Sequence, residues 1–162
     1  MQTTALLASA PGQPLRPTPI DRRELRPDDV DVRVTHCGVC HSDLHALRST
    51  DARAFTLVPG HEFVGEVAAV GSAVEGFGVG DAVAVGTIVD SCGACRMCLA
   101  EQQNMCEEFP TLTYGGRDRL DGTPTLGGYS GHYVVRERFV YHRPANLDPA
   151  AVAPLLCAGI TV

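Results

Sequence analysis

The sequence predicts a mainly β domain, a small barrel or sandwich of short strands with few helices. Three observations carry that expectation. Apolar and polar residues alternate over short stretches at close spacing, which is the period of strands. Glycine-rich turns separate these stretches. Four cysteines, Cys92, Cys95, Cys98 and Cys106, fall within fifteen positions, a crowding that suits a metal-stapled loop. At 162 residues, one domain of this kind buries about 70% of its unfolded surface, enough for a real core.

Taken in order, residues 1–29 are rich in proline and charge and offer one short strand, "TTALLA". "DVDVRVTH" (29–36) alternates strictly and reads as a half-buried strand. "SDLHALRS" follows as a short helix with Ser42 as its candidate cap. "EFVGEVAAVG" and "GDAVAVGTIV" read as two strands joined by the glycine-rich "SAVEGFGV". The cysteine lobe occupies about residues 90–111, and "GGYSGHYVVRERFVYHRP" supplies two more strands. Asp148 caps a final helix, "PAAVAPLLCAGITV", with Pro149 at its first position. The nearest approach to a G-x-G-x-x-G fingerprint, "GFGVGD", has Asp81 in place of the third glycine and leads into a strand. These residues therefore hold no dinucleotide-binding βαβ unit.

Composition excludes several functions. Net charge is −6, so a nucleic-acid surface with a clustered basic face is not expected. All thirteen basic residues are arginine, which removes Schiff-base chemistry and a P-loop lysine. No run of eighteen apolar residues is available to span a membrane. The amino terminus lacks a positive n-region and has too short an apolar stretch for a signal peptide. A mature cytoplasmic start is the expectation. A reducing cytosol keeps thiols free, and seven cysteines are an odd number that closed disulfides cannot use up. Four thiolates with two-residue spacers suit a tetrahedral Zn²⁺ with no open position. The quartet is expected to be structural.

Cys40, His61 and Cys157 lie far apart in the chain. Two thiolates and an imidazole can form a three-ligand zinc site with one position open, the catalytic arrangement, but spacing alone does not select these three. Five segments do so by resemblance. "THCGVCHSDLH", "VPGHEFVGEV", "VGTIVDSCGACRMC", "LTYGGRDRLDGTPTLGGYSGHYVV" and "APLLCAGITV" resemble, in order, the zinc-dependent medium-chain alcohol dehydrogenases. The likeness is to the cinnamyl alcohol dehydrogenase branch and its bacterial NADP-dependent aldehyde reductases, and it is weakest before Asp28.

The resemblance implies a GroES-like, partly open β-barrel over residues 1–162 with two zinc ions. Cys40, His61 and Cys157 would bind the catalytic ion, and Cys92, Cys95, Cys98 and Cys106 the structural one. Glu62 matches a carboxylate beside the catalytic metal that in some states becomes its fourth ligand. Asp43 matches the carboxylate that orients His61. Ser42 matches the hydroxyl that meets the substrate oxygen, His45 the outer end of a proton relay, and His41 a residue facing the coenzyme pyrophosphate. Plainer readings stand beside these. Cys37 is expected to be a buried thiol and not a redox partner of Cys40. His36, His132 and His142 are expected on strands or at the surface, and His45 could equally be an ordinary helix-face histidine.

The implied activity is interconversion of primary alcohols and aldehydes by hydride transfer with NADP(H), with a homodimer as the full-length assembly. A polyol or other medium-chain dehydrogenase is the alternative within the enzyme class, and a zinc-stabilised scaffold module the alternative outside it. The resemblance places Val162 in a connecting helix, with the Rossmann coenzyme domain outside these residues. A fragment of a longer product is thus expected, one that binds zinc but does not turn over alone.

Overall fold

The computed structural model describes residues 1–49 and 56–162. Nine short strands dominate the described residues. β1 (Gln2–Leu7) and β2 (Arg16–Asp21) form an antiparallel hairpin. β3 (Asp29–Cys37), β4 (Phe63–Val70), β5 (Ala82–Val85), β8 (His132–Arg136) and β9 (Val140–His142) form one antiparallel sheet, in the order β8-β3-β4-β5-β9. β6 (Ile88–Asp90) pairs with β7 (Thr111–Leu112) beside it. The mainly β architecture expected from the alternating pattern is the observed one. No helix among the described residues is long and apolar enough to cross a membrane.

The sheet curls around a core of Val30, Val32, Phe63, Val67, Val83, Val85, Tyr133, Val135 and Phe139, all buried. β-branched valine dominates because it packs well on a pleated surface. Bulges interrupt the β3–β4 register between Asp31 and Val32 and between Val34 and His36, where added twist bends the pair.

Four local expectations are corrected. β2 falls in "RPTPID", where Pro17 and Pro19 masked it. It pairs with β1 alone, and a strand with one partner tolerates residues that cannot donate. The polar face of β3 is covered at its start, where Asp29 and Asp31 are 0% and 3% exposed, and solvated further on at Arg33 and Thr35. Asp29 accepts from the Arg23 guanidinium and from Arg26 N, and Asp31 meets His132 Nδ1 at 3.0 Å. "GDAVAVGTIV" is two strands, because Gly86 and Thr87 turn aside to bond Thr113. The carboxyl-terminal helix is three pieces: α3 (Pro149–Val152), a 3-10 turn (Ala153–Leu156) and α4 (Ala158–Thr161). Pro154 has no N–H to continue the α3 ladder.

Asp148 does cap α3, accepting from Ala150 N at 3.0 Å, with Pro149 at the first position. Val152, Ala153 and Leu156 then pack on Val64 and Ala84 of the sheet. Cys157, which follows them at φ −126°, ψ −67°, is thereby delivered to the open end of β3 and β4.

Candidate metal and active site

The cysteine lobe closes on itself. Cys92, Cys95, Cys98 and Cys106 bring their sulfurs within 4.8 Å of one another. All seven cysteines of the chain are free, and the 3.8 Å between Cys92 Sγ and Cys98 Sγ is far beyond the ~2.05 Å of a disulfide. Backbone amides point at the sulfurs: Cys95 N donates to Cys92 at 3.3 Å, Cys98 N to Cys95 at 3.4 Å and Cys92 N to Cys106 at 3.5 Å. α2 (Arg96–Leu99), capped by the Cys95 side chain, aims Cys98 inward. Hydrogen bonds from the Glu107 and Cys98 amides push the Cys95 thiol down to about 6. Four sulfurs this close together, three of them accepting from backbone amides, suit Zn²⁺.

A second group forms from distant segments. Cys40, His61 and Cys157 also place their ligand atoms within 4.8 Å of one another, the two sulfurs 3.9 Å apart. Hydrogen bonds from Ser42 hold the Cys40 thiol below its usual range. Burial, together with the neighbouring Cys40, pushes Cys157 up to about 11. Without a cation between them the two sulfurs cannot both carry charge at this distance. The donor set thus fits a divalent metal.

α1 (His41–Arg48) starts at this group. Its cap is Cys40, not Ser42: the Cys40 sulfur accepts from Ser42 N, and Asp43 returns a bond to Cys40 N at 2.9 Å. A cysteine can replace the expected hydroxyl because its sulfur lies where an N-cap oxygen would. Asp43 is 1% exposed. Its Oδ1 accepts from His61 Nδ1 at 3.1 Å and from Gly60 N at 3.0 Å. Burial opposes the Asp43 charge, but His61 and the two amides hold its carboxyl below the ordinary value. Burial likewise opposes charge on His61, and Asp43 reverses the shift to raise it. With Nδ1 engaged, Nε2 remains for a metal.

Glu62, beside His61, is 1% exposed, and its Oε2 has no hydrogen-bond partner. Burial raises its carboxyl. Glu62 is not among the side chains whose ligand atoms converge within 4.8 Å; it follows His61 in the chain with one buried oxygen left to be satisfied. The pocket for it depends on Gly38, where a Cβ would stand 2.7 Å from Glu62 Oε1.

His41, Ser42 and His45 are exposed on α1. Ser42 Oγ lies 3.5 Å from Cys40 Sγ, and His45 lines a crevice with Ala46, Leu57, Tyr114 and Leu126. Tyr114 was not evident from the sequence; its ring packs on His61 with centroids 5.5 Å apart and forms the wall between ligand and crevice. Cys37 lies outside both groups and packs against the core, its thiol pushed up to about 12 by burial. It is a free thiol, half-buried where a buried one was expected. His36, His132 and His142 are on strands.

Gly60 delivers His61. It adopts φ +97°, and a Cβ there would stand 2.6 Å from the Tyr129 ring and 2.8 Å from Cys37 Sγ. Gly127 lies against Pro59 with no room for a side chain, so residues 127–129 run flush along 58–60.

The family model for the alcohol dehydrogenase GroES-like domain matches residues 26–145. The aldehyde reductase YahK of Escherichia coli (strain K12) is 49% identical over 163 residues, covering 99% of this chain and 46% of the relative. The cinnamyl alcohol dehydrogenase of Helicobacter pylori, solved in complex with NADP(H), superposes with a TM-score of 0.93 at 36% identity, over 99% of this chain and 47% of that one. A cinnamyl alcohol dehydrogenase of Sorghum bicolor superposes with the same score at 39% identity, over 99% and 46%. The chain thus spans about half the length of the proteins it matches. The curled sheet is the partly open GroES-like barrel that the resemblance implied.

Proposed function

Since the chain belongs to the alcohol dehydrogenase GroES-like domain family, we propose that it is the zinc-binding catalytic part of an oxidoreductase interconverting primary alcohols and aldehydes with NADP(H). The observation that carries the proposal is the convergence of Cys40, His61 and Cys157, from three distant segments, with Asp43 behind His61. A scaffold stapled by zinc would need the cysteine quartet alone. Cys40, His61 and Cys157 would hold one Zn²⁺, with Glu62 at hand as an alternative ligand, and Cys92, Cys95, Cys98 and Cys106 would hold another. Zinc at the first site would supply a Lewis acid for the substrate oxygen and carry no electrons.

The chain's own residues do the rest. Asp43 keeps a proton on His61 Nδ1 and so holds the imidazole as a neutral ligand through Nε2. In alcohol oxidation the substrate hydroxyl proton passes to Ser42, whose own proton moves to His45 and on to solvent. Ser42 and His45 are three residues apart on α1 and both are exposed, so they share a helix face. The hydride leaves carbon for the nicotinamide ring, and the aldehyde departs; reduction runs the same steps backwards. His41, exposed at the start of α1, faces the coenzyme phosphates. The nicotinamide domain is supplied by residues beyond this segment, the full-length protein acts as a homodimer, and it works in the cytoplasm.

Metal analysis of the full-length protein, purified under reducing conditions, tests the reading. Two zinc ions per chain are expected, together with NADPH-dependent reduction of an aromatic or aliphatic aldehyde that His61→Ala abolishes. Folded protein with one zinc at the quartet and no reductase activity would leave only the scaffold.

A further inference from the structure

Four donors bond the Asp43 carboxylate directly, among them a tyrosine from a separate part of the fold, and the Tyr114 hydroxyl also interacts with it. Oδ1 takes Gly60 N and His61 Nδ1; Oδ2 takes Cys40 N and the hydroxyl of Tyr129. Cys40 and His61 are themselves in the metal-binding trio, and Gly60 precedes His61. Tyr129 stands 86 residues from Asp43 in the chain. Its hydroxyl lies between two acceptors, 3.3 Å from Asp43 Oδ2 and 3.3 Å from the Gly38 carbonyl.

The side chain is held where it can do this. Gly127 N donates to Val58 O at 2.7 Å, Tyr129 N to Pro59 O at 3.0 Å and Gly128 N to Gly60 O at 2.8 Å. These bonds lay residues 127–129 against the segment that carries His61. From the other side Arg22 pins the same strip, donating to the carbonyls of Leu126, Gly127 and His132 and to Ser130 Oγ. Its guanidinium lies 4.6 Å from the Tyr133 ring centroid. A ring clamped this way has little freedom, so its hydroxyl oxygen is held within reach of Asp43 and the Gly38 carbonyl.

We propose that Tyr129 is a positioning residue for the metal-binding trio, its hydroxyl fixing the Asp43 carboxylate and through it the plane of the His61 imidazole. The inference rests on the reading that Cys40, His61 and Cys157 bind zinc. Loss of the hydroxyl leaves Oδ2 with Cys40 N, and the carboxylate with the nearby Tyr114 hydroxyl, so the carboxylate is less firmly held and can turn, and the imidazole with it. Partners that orient a ligand directly typically alter metal affinity by about 10–100-fold. Tyr129 acts one bond further out, and about 3–10-fold is expected by extension.

The test compares Tyr129→Phe with Tyr133→Phe in the full-length protein. Tyr133 is buried where Tyr129 is half-buried, and its hydroxyl donates to Thr113 O at 2.8 Å, away from Asp43. Zinc affinity at each site is read by competition with a chelator, and the trio is read independently by the visible spectrum of the Co²⁺-substituted protein. For Tyr129→Phe the expected result is a weakened trio, a shifted Co²⁺ band and an unchanged quartet. For Tyr133→Phe a lower Tm with unaltered affinity and spectrum is expected. Wild-type affinity and spectrum in Tyr129→Phe overturn the proposal, as does an equal loss in Tyr133→Phe, which marks general loosening. A wild-type protein that takes zinc at the quartet alone overturns the reading beneath it, and is told apart because it appears before any substitution is made.

Discussion

Asp43 Oδ1 accepts from His61 Nδ1 at 3.1 Å inside a site where both residues are buried. This bond joins the first turn of α1 to the start of β4, so helix capping and ligand orientation are tasks of one carboxylate. Asp43→Asn keeps the shape but can present an amide N–H to His61 or Cys40 N, where an acceptor is required. Zinc affinity at Cys40, His61 and Cys157 should fall by about 10–100-fold, with the quartet unaffected. Chelator competition on the two sites checks it; an unchanged trio would show that Asp43 serves only the helix.

The cysteine lobe has almost no apolar core of its own. Leu99, Met105 and Phe109 are 72%, 59% and 68% exposed, so residues 92–106 depend on the metal for their shape. Cys98→Ser should therefore cost solubility or cooperative folding, because binding free energy at a structural zinc is folding free energy. Thermal unfolding with and without a chelator reads this. If Cys98→Ser melts like the wild type and the chelator moves neither, the quartet is not a structural metal site.

Legibility followed the range of the contacts. The strands of the main sheet were readable because their period is local, and the quartet because its spacing is. β2 was hidden by its prolines, and at the start of β3 Asp29 is covered by Arg23 and Arg26 from just upstream and Asp31 by the distant His132, while Arg33 and Thr35 stay exposed. Cys40, His61 and Cys157 were recognised only by resemblance, since three distant segments share no pattern of their own. Tyr114 and Tyr129 lie within a segment that carried the resemblance but had no role assigned there, and Arg22 lay outside every such segment. Their significance lies in partners many residues away, and a tyrosine after two glycines reads simply as a strand start.

Asp118 ties the loop at 118–121 to Arg23 and Arg26. It accepts from Arg26 Nη1 at 2.7 Å and from Leu120 N at 2.8 Å, and lies 3.3 Å from Arg23 Nε. Burial opposes its charge, yet these partners bring its carboxyl down to about 2, against roughly 3.9 in an unfolded chain. A depressed carboxyl contributes stability that is present above the unfolded value and lost as pH falls toward the folded one. Asp118→Asn should be less stable than wild type by about 2 kcal/mol at neutral pH. The difference should close as pH falls from about 4 to about 2. Metal loss in acid affects both proteins alike, so the quantity to follow is the gap between their urea midpoints at matched pH. A gap independent of pH would assign the loss to packing.

His45 is where the functional and the plain reading diverge most. It is exposed on α1, on the face it shares with Ser42, and it lines the crevice that Tyr114 separates from His61. If it carries the substrate proton to solvent, His45→Ala in the full-length enzyme should slow alcohol oxidation most at low pH. There a positioned base is needed, and such bases typically contribute about 10²–10⁴-fold. At high pH, hydroxide and buffer take over part of the transfer and the ratio of the two rates should shrink. Imidazole in the buffer should restore part of the lost rate, and zinc content should stay the same. A histidine that only packs would lower Tm and depress the rate equally at every pH, with no rescue. Alcohol oxidation measured against pH for both proteins, with proton transfer kept rate-limiting by substrate choice, separates the two. A constant ratio without rescue leaves Ser42 to deliver its proton directly to solvent.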